Sequence, residues 1–430
     1  MKPTDIIMKK RMGKALSAFE IQEFVRGACD GSFADYQLSA MLMAICIRGM
    51  GDGETLALTH AMAQSGEQMD LGHLPGVKAD KHSSGGVGDK TTLICMPIVA
   101  ALGLTVAKMS GRGLGFTGGT VDKLEAIPGF ETALSSAAFD RVVKQTRMCL
   151  AGQSGDLAPA DKTLYALRDV TGTVMSMPLI ASSIMSKKLA SGADVLVLDV
   201  KCGAGAFMKS EQDAKTLAQT MVNIAKGAGR KAAALISDMD APLGYAIGNA
   251  LEVIEALETL NGRGPNDLTQ LSLTLAAQML TLATGESMAS ALKRAKRALN
   301  DGSALNAFRE TVKAQGGDIS YVDDPSRFAL STKTTVLAPQ TGYIAGMDAE
   351  KCGHASMLCG AGRMAKEDLI DHGAGIVLKN KVGDFATEGQ PIAALYTKLN
   401  PAPAQQAFLN ALTFSPTAPK ARPLILGKVE

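Results

Sequence analysis

Strand-like and helical segments alternate between residues 77 and 237, and this alternation constrains the fold more than any other feature of the chain. Residues 77–81 and 104–109 resemble short strands, and each runs directly into a glycine-rich loop. Residues 194–200 and 232–237 also resemble strands, and each is followed by helical sequence. Strands and helices that alternate at this spacing form a mainly parallel sheet covered by helices. The sequence therefore predicts a central α/β domain.

The segments on either side of this alternation predict two further domains. Residues 1–70 have apolar positions three and four apart and a capping-box sequence at Ser17, which is typical of consecutive helices. Beyond about residue 340, turn signals separate short β-like runs. We predict an α/β multi-domain chain: a helical N-terminal domain (1–70), a central mainly parallel sheet flanked by helices (75–335) and a small α+β C-terminal module (340–430). Helices at about 160–190 either cover the sheet or join the first bundle.

Composition and charge exclude several classes of partner. Lys and Arg number 44 and Asp and Glu 42, so the chain lacks the basic excess that a nucleic-acid or membrane surface needs. The first residues lack the apolar core of a secretory signal, and we find no apolar run long enough to span a bilayer. The seven cysteines form no C-x-x-C pair, which argues against disulfides and structural zinc. We expect a cytoplasmic protein.

Two glycine-rich loops carry the main functional signal. In the first, residues 81–92 read KHSSGGVGDKTT, where glycines let successive backbone N–H groups converge ahead of a helix. A strand–loop–helix corner of this kind binds phosphate, and Lys81, Ser83 and Thr92 add charge and hydroxyl donors. The second loop, Ser110 to Thr120, repeats the pattern after the next strand. Because loops at neighbouring strand ends face one crevice, the two loops together predict a phosphate-handling site.

The motifs of both loops resemble one family. The runs KHSSGGVGDKTT, SGRGLGFTGGTVDKLE, YALRDVTG and IASSIMSKK are similar to those of the thymidine and pyrimidine-nucleoside phosphorylases, and the resemblance covers nearly the whole chain. It implies reversible cleavage of uridine, thymidine or deoxyuridine by inorganic phosphate, without an organic cofactor. It also implies a homodimer formed through the N-terminal helices. Lys108 resembles the variant that accepts both uridine and thymidine.

The resemblance also implies roles for individual residues. The expected phosphate ligands are Lys81, His82, Ser83, Thr92, Lys108, Ser110 and Thr120. The expected ligands of the pyrimidine are Arg168, Ser183 and Lys187. Arg168 and Lys187 carry positive charge that would stabilise the departing base anion, so we assign them catalytic roles together with His82. His82 either donates a proton to the base or orients it through a hydrogen bond.

A monovalent cation site is a further implication, and one residue departs from it. Related bacterial enzymes bind potassium near the first loop, and the matching ligands here are the backbone carbonyls of Gly88, Lys90, Leu243 and Ala246 with the Glu255 carboxylate. Position 90 is usually small or neutral in the family, so a lysine ammonium there either disfavours or replaces the ion. Phe116 is a second departure, because a histidine is usual at that position. We expect the Phe116 ring to face the substrate crevice.

Two alternative functions remain open at this point. An anthranilate-type phosphoribosyltransferase resembles this fold but would need a different pyrophosphate loop and acidic magnesium ligands. A non-catalytic protein that binds a nucleoside or phosphate would not need the cations expected around the leaving base. Turnover distinguishes the second alternative from an enzyme.

Overall fold

The computed structural model describes residues 2–113, 115–116, 118–153, 157–363 and 368–430. Leu114 and Thr117 of the predicted second loop lie outside the described residues. The α-helices are α1 (Pro3–Arg11), α2 (Ala18–Asp30), α3 (Asp35–Arg48), α4 (Asp52–Ala63), α5 (Thr92–Ala101), α6 (Thr120–Leu124), α7 (Ser136–Thr146), α8 (Pro159–Thr171), α9 (Met177–Ala190), α10 (Glu211–Gly227), α11 (Asn249–Leu260), α12 (Asn266–Thr284), α13 (Met288–Asn300), α14 (Ser303–Ala314), α15 (Ser320–Asp323), α16 (Ala349–Ser356) and α17 (Pro401–Leu409). The strands are β1 (Ala79–Ser83), β2 (Val106–Ser110), β3 (Met148–Gly152), β4 (Val195–Cys202), β5 (Lys231–Asp238), β6 (Ala246–Ile247), β7 (Lys333–Leu337), β8 (Gly342–Met347), β9 (Gly375–Leu378), β10 (Phe385–Ala386), β11 (Pro391–Tyr396), β12 (Leu412–Ser415) and β13 (Ile425–Val429).

The N-terminal helices form a bundle that two later helices complete. The predicted capping box begins α2, where the Ser17 hydroxyl accepts from the Glu20 amide and the Glu20 carboxylate accepts from the Ser17 amide. Helix α8 packs on α2 and α3, and α9 packs on α4. Residues of α8 and α9 share an apolar core with α1–α4, including Leu164 and Leu179. The helices predicted near 160–190 therefore join the bundle.

The central sheet has the strand order β1-β4-β5-β13. Strands β1, β4 and β5 are parallel, and β13 pairs antiparallel with β5 at the edge. The parallel pair β2–β3 lies beside β1 and is joined to it by two backbone hydrogen bonds just before β2. The Ala79 amide donates to the Thr105 carbonyl (2.8 Å), and the Thr105 amide donates to the Val77 carbonyl (2.9 Å). Beyond this bridge, buried charged side chains fill the space between β1 and β2.

The last part of the chain is a strand-rich module. Strands β6, β9, β11 and β7 form one antiparallel sheet, and β10, β8 and β12 form another. Strand β6 lies just before α11 in sequence, so it links the module to the central body. The structure thus contains a helical bundle, a mainly parallel central sheet and a small C-terminal module. These three parts confirm the predicted fold class. Among the described helices, none combines the length and apolar character that crossing a bilayer requires.

Candidate active site

The first glycine-rich loop connects the end of β1 to the start of α5. His82 and Ser83 end the strand, and Thr92 is the first residue of the helix. Gly88 has a positive φ of 72°, and a Cβ there would lie 2.5 Å from the Leu243 carbonyl oxygen. Only glycine allows both the left-handed backbone and this close approach. The loop can therefore lie directly against the 243–246 turn because position 88 has no side chain.

Lys81 lies inside a buried charge cluster at this loop. Its side chain is 1% exposed, and its Nζ donates to the Thr91 hydroxyl at 2.6 Å. The carboxylates of Asp89 and Asp199 lie 3.7 Å and 3.6 Å from the same nitrogen. Burial works against the charge, but the two carboxylates outweigh it and raise the pKa of Lys81. Lys81 is thus a fixed cation at the base of the loop.

A second buried cluster fills the space between β1 and β2. The Asp80 carboxylate accepts from Lys108 Nζ at 2.9 Å and from Lys188 Nζ, on α9, at 2.8 Å. Lys108 Nζ also donates to the Lys81 carbonyl at 2.6 Å. Burial opposes ionisation of Asp80, but the two ammonium groups outweigh it and hold its pKa well below the usual value. Burial also lowers the pKa of Lys108 to about 8.

His82 faces the cations of this region. Its pKa is held well below 6.5, first by desolvation and then by the charges of Lys188 and Lys108, with a smaller contribution from Lys187. The imidazole is therefore neutral near pH 7. A neutral ring retains one N–H donor, so the hydrogen-bonding role predicted for His82 agrees better with this environment than proton donation from an imidazolium.

The second loop lies beside the first, as predicted. Ser110 ends β2 and Thr120 begins α6, and the amide of Val121 donates to the Gly111 carbonyl at 3.4 Å. Lys123, on α6, joins the two loops, because its Nζ donates to the carbonyls of Asp89 (3.2 Å) and Gly118 (3.3 Å). Both loops thus lie together at the carboxyl ends of the parallel strands β1 and β2.

Ser110 has the free hydroxyl that a phosphate ligand needs. It is buried, and its Oγ has no hydrogen-bond partner among the described residues. It lines a cavity of about 760 Å³ between the second loop and the 67–73 segment that leaves the helical bundle. A buried hydroxyl without a partner costs stability unless a ligand or water satisfies it.

The residues predicted to bind the pyrimidine lie on two facing helices of the bundle. The guanidinium of Arg168, on α8, donates to the carbonyls of Thr173, Val174 and Leu179 at 2.7–3.3 Å. Ser183 and Lys187 follow Leu179 at four-residue intervals on α9, so they occupy the same face of that helix. Lys187 Nζ donates to the Asp161 carboxylate, on α8, at 2.6 Å. The structure therefore brings these residues together, with Lys187 near enough to His82 to affect its pKa.

Comparison with known proteins identifies the family of this chain. Three family models match the chain: the helical bundle domain of the glycosyl transferase family (residues 4–66), its a/b domain (76–305) and the pyrimidine nucleoside phosphorylase C-terminal domain (343–413). The pyrimidine-nucleoside phosphorylase of Bacillus subtilis is 54% identical over 92% of both chains. That of Geobacillus stearothermophilus is 50% identical over 100% of both chains. This chain belongs to the pyrimidine-nucleoside phosphorylase family.

Family membership confirms the predicted enzyme class, a nucleoside phosphorylase that transfers a pentosyl group. The anthranilate phosphoribosyltransferase of Thermus thermophilus has the same fold, with a TM-score of 0.60 over 72% of this chain and 99% of its own. At 17% identity that likeness concerns the fold alone. The anthranilate phosphoribosyltransferase therefore shares only the fold of this chain, whose family is that of the phosphorylases.

The cation site that the family resemblance implied does not fit this structure. The carbonyls of Leu243 and Ala246 and the Glu255 carboxylate accept hydrogen bonds from Lys90 Nζ. The Gly88 carbonyl accepts from the Lys90 amide. Since the Leu243, Ala246 and Glu255 oxygens already hold a positive charge, a potassium ion among them would be both crowded and repelled. Three of the five expected ligands therefore surround an ammonium group in this structure, and the Lys90 carbonyl accepts from the Leu93 amide.

Phe116, whose ring was expected to face the substrate crevice, lies against the C-terminal module in this structure. Its ring centroid lies 5.3 Å from that of His354, on α16, and its carbonyl closely approaches Gly353. The second loop therefore contacts the C-terminal module through Phe116.

Sequence reasoning missed the acidic partners of the site. Asp80 binds two lysines, Asp161 binds Lys187, and Glu252 lies 3.3 Å from Lys123. Asp80 directly precedes Lys81, and this adjacency was a signal that it reaches the same loop. Asp161 and Glu252 lie on helices far from the glycine loops in sequence, where their carboxylates resemble those of ordinary solvated helix residues.

Proposed function

We propose that this enzyme cleaves uridine, thymidine and deoxyuridine with inorganic phosphate and releases the free base and ribose or deoxyribose 1-phosphate. Family membership supports the reaction class, and Lys108, which resembles the broad-specificity variant, supports the range of substrates. The observation that carries the proposal is the convergence of two glycine-rich loops with the Arg168, Ser183 and Lys187 group at the end of β1.

Phosphate is proposed to lie between the two loops. Its ligands would be the backbone amides of the loops and the side chains of Lys81, His82, Ser83, Thr92, Lys108, Ser110 and Thr120. The unpartnered Ser110 hydroxyl and the fixed charge of Lys81 support this position. The Lys108 ammonium group already donates to Asp80 and to a backbone carbonyl, which leaves one of its three N–H donors for the phosphate. Placed here, a phosphate oxygen would attack C1′ of the sugar as the bond to the base breaks.

The departing base is proposed to contact Arg168, Ser183 and Lys187. Loss of the glycosidic bond leaves negative charge on the pyrimidine, spread toward its carbonyl oxygens. Cations at those oxygens stabilise the transition state more than the substrate, which raises the rate rather than only the affinity. A neutral His82 would donate a hydrogen bond from the side of the sheet. Closure of the helical bundle (1–70 with α8 and α9) on the central domain (75–335) would exclude water as a competing nucleophile.

The test is phosphorolysis of uridine, deoxyuridine and thymidine followed by ultraviolet absorbance, each with and without phosphate. We expect turnover of all three, with no reaction when phosphate is omitted. Turnover of thymidine alone would retain the phosphorylase and reject the substrate range. Binding of nucleosides by isothermal calorimetry without turnover would identify the non-catalytic alternative and reject the proposal.

We also propose that the enzyme is a homodimer in the cytoplasm, joined through the N-terminal helices. Tyr36, Met43 and Ile47 form one apolar stripe on α3, and Tyr36 and Ile47 are 76% and 70% exposed. Met8 on the neighbouring α1 and Met12, directly after that helix, are also exposed. A clustered apolar surface of this kind is typical of a protein interface. All seven cysteines are free thiols, which suits a reducing compartment.

Substitution of this stripe is expected to separate the subunits. Ile47→Glu with Tyr36→Glu places two charges in the proposed contact, so sedimentation velocity should show a dimer for the unmodified chain and a monomer for the double variant. Leu369→Glu is the matched control, because Leu369 is also highly exposed but lies outside the N-terminal helices. A monomeric unmodified chain, or a dimer that survives the double substitution, would contradict the proposed interface.

A further inference from the structure

Lys90 is a buried lysine whose ammonium group is enclosed by protein oxygens. It is 1% exposed, and its Nζ donates to the carbonyls of Leu243 (3.1 Å) and Ala246 (2.8 Å) and to Glu255 Oε2 (2.5 Å). An ammonium group has three N–H donors, so these three acceptors satisfy it completely. Burial of a lysine is costly unless such partners are present.

The 243–246 turn and Glu255 are fixed in position around the Lys90 ammonium group. Gly244 has a positive φ of 71°, and a Cβ there would lie 2.3 Å from Glu255 Oε2 and 3.1 Å from Lys90 Nζ. Glu255 Oε1 accepts from the amides of Tyr245 (2.8 Å) and Ala246 (3.2 Å), so the carboxylate is fixed from the other side. The 243–246 turn and the Glu255 carboxylate therefore form a closed set of oxygens that holds a single positive charge.

The charge connects the first glycine loop to a distant part of the chain. Lys90 belongs to the loop, whereas its acceptors lie on the 243–246 turn and on α11. The second loop has a parallel connection, because Lys123 Nζ lies 3.3 Å from Glu252, one helical turn from Glu255 on α11. Both loops are thus positioned by a lysine bound to the same helix. Removing the charge at position 90 would release the first loop from α11.

We infer that Lys90 is the resident cation of this site, so that the enzyme needs no monovalent metal ion to fold or to position its first glycine loop. The inference concerns stability and loop position, so it stands even if the proposed substrate range is wrong. A bound potassium ion could dissociate from this site, whereas the ammonium group of Lys90 is covalently attached to the chain and cannot. The loop is therefore held at any concentration of potassium or sodium.

The first test uses the unmodified chain and thermal unfolding. After exhaustive dialysis into choline chloride, addition of potassium chloride at constant ionic strength should leave the unfolding temperature and the phosphorolysis rate unchanged. A bound ion would instead raise the unfolding temperature with its concentration, because any ligand specific to the folded state stabilises it. Potassium-dependent stabilisation of the unmodified chain would overturn the inference.

Two substitutions at position 90 supply the second test. In choline, both Lys90→Thr and Lys90→Met should lower the unfolding temperature by about 5 °C or more, because Glu255 loses its buried partner. Lys90→Thr opens space and adds an oxygen, so potassium should restore much of that loss. Lys90→Met retains the length of the side chain without charge, so potassium should restore little. Full stability of Lys90→Thr in choline, or equal rescue of both variants by potassium, would contradict the inference.

Discussion

Replacing Lys187 by methionine is expected to lower kcat/KM for uridine phosphorolysis by about 10²–10³-fold, the range found when one donor to a developing anion is removed. Lys187 is partly exposed, but its removal leaves the buried Asp161 carboxylate without this partner, so a loss of stability is also expected, which thermal unfolding would measure. Because the charge on the base develops in the transition state, the loss should fall on kcat more than on KM. Steady-state kinetics with uridine and phosphate would measure both.

A matched control and a second substrate sharpen this result. Lys162→Met removes an exposed lysine from the neighbouring helix α8 and should leave the kinetics unchanged. With 5-fluorouridine the electron-withdrawing fluorine stabilises the departing base, so Lys187→Met should lose less activity than with uridine. An equal loss for both nucleosides, or an equal loss in the Lys162→Met control, would show that Lys187 does not act on the leaving base.

Replacing Asp80 by asparagine is expected to destabilise the folded chain by about 3–5 kcal/mol, because it leaves two buried ammonium groups without their counter-ion. Lys108 and Lys188 both donate to this carboxylate, and both lysines are buried. Thermal and urea unfolding would measure the change. Asp30→Asn is the control, because Asp30 forms an exposed ion pair with Arg26 on one helix and should contribute under about 1 kcal/mol.

A second substitution distinguishes this electrostatic effect from loss of packing. In the Asp80→Asn background, Lys188→Met removes one of the unpaired charges and should recover part of the lost stability. The same Lys188→Met change in the unmodified chain should destabilise it, since Asp80 then loses a partner. If the losses in the free energy of unfolding caused by the two substitutions instead add, Asp80 stabilises the fold by an interaction that does not depend on its charge.

The arrangement of strands and helices was predictable because it depends on local pattern. Alternating segments indicated the parallel strands β1, β2, β4 and β5, and the Ser17 capping box indicated the start of α2. The edge strand β13 was not predicted, because its short sequence follows a segment rich in proline and charge and its partner β5 is distant in the chain. Pairing between distant segments leaves no periodic signal in either of them.

Candidate residues could be named from the sequence only where they belong to recognisable motifs, in the glycine loops or on helices α8 and α9. Both glycine loops appeared directly in the sequence, and the structure brings them together through Lys123. The partners of the buried lysines were not predictable, since Asp80 and Lys188 are separated by 108 positions. Such pairs depend on how the bundle packs against the sheet. For the same reason the bond from Lys108, an expected phosphate ligand, to Asp80 was not predictable.

The position of β13 has a consequence for how the chain folds during synthesis. Strand β5 can pair with β4 soon after it is made, but its other edge stays open until the whole C-terminal module has been made and β13 follows. An unpaired edge of a buried apolar strand is a site where chains associate wrongly. We therefore expect the emerging chain to depend on chaperones most during the interval between β5 and β13. Pairing between such distant segments should also make this the slow step of refolding in vitro.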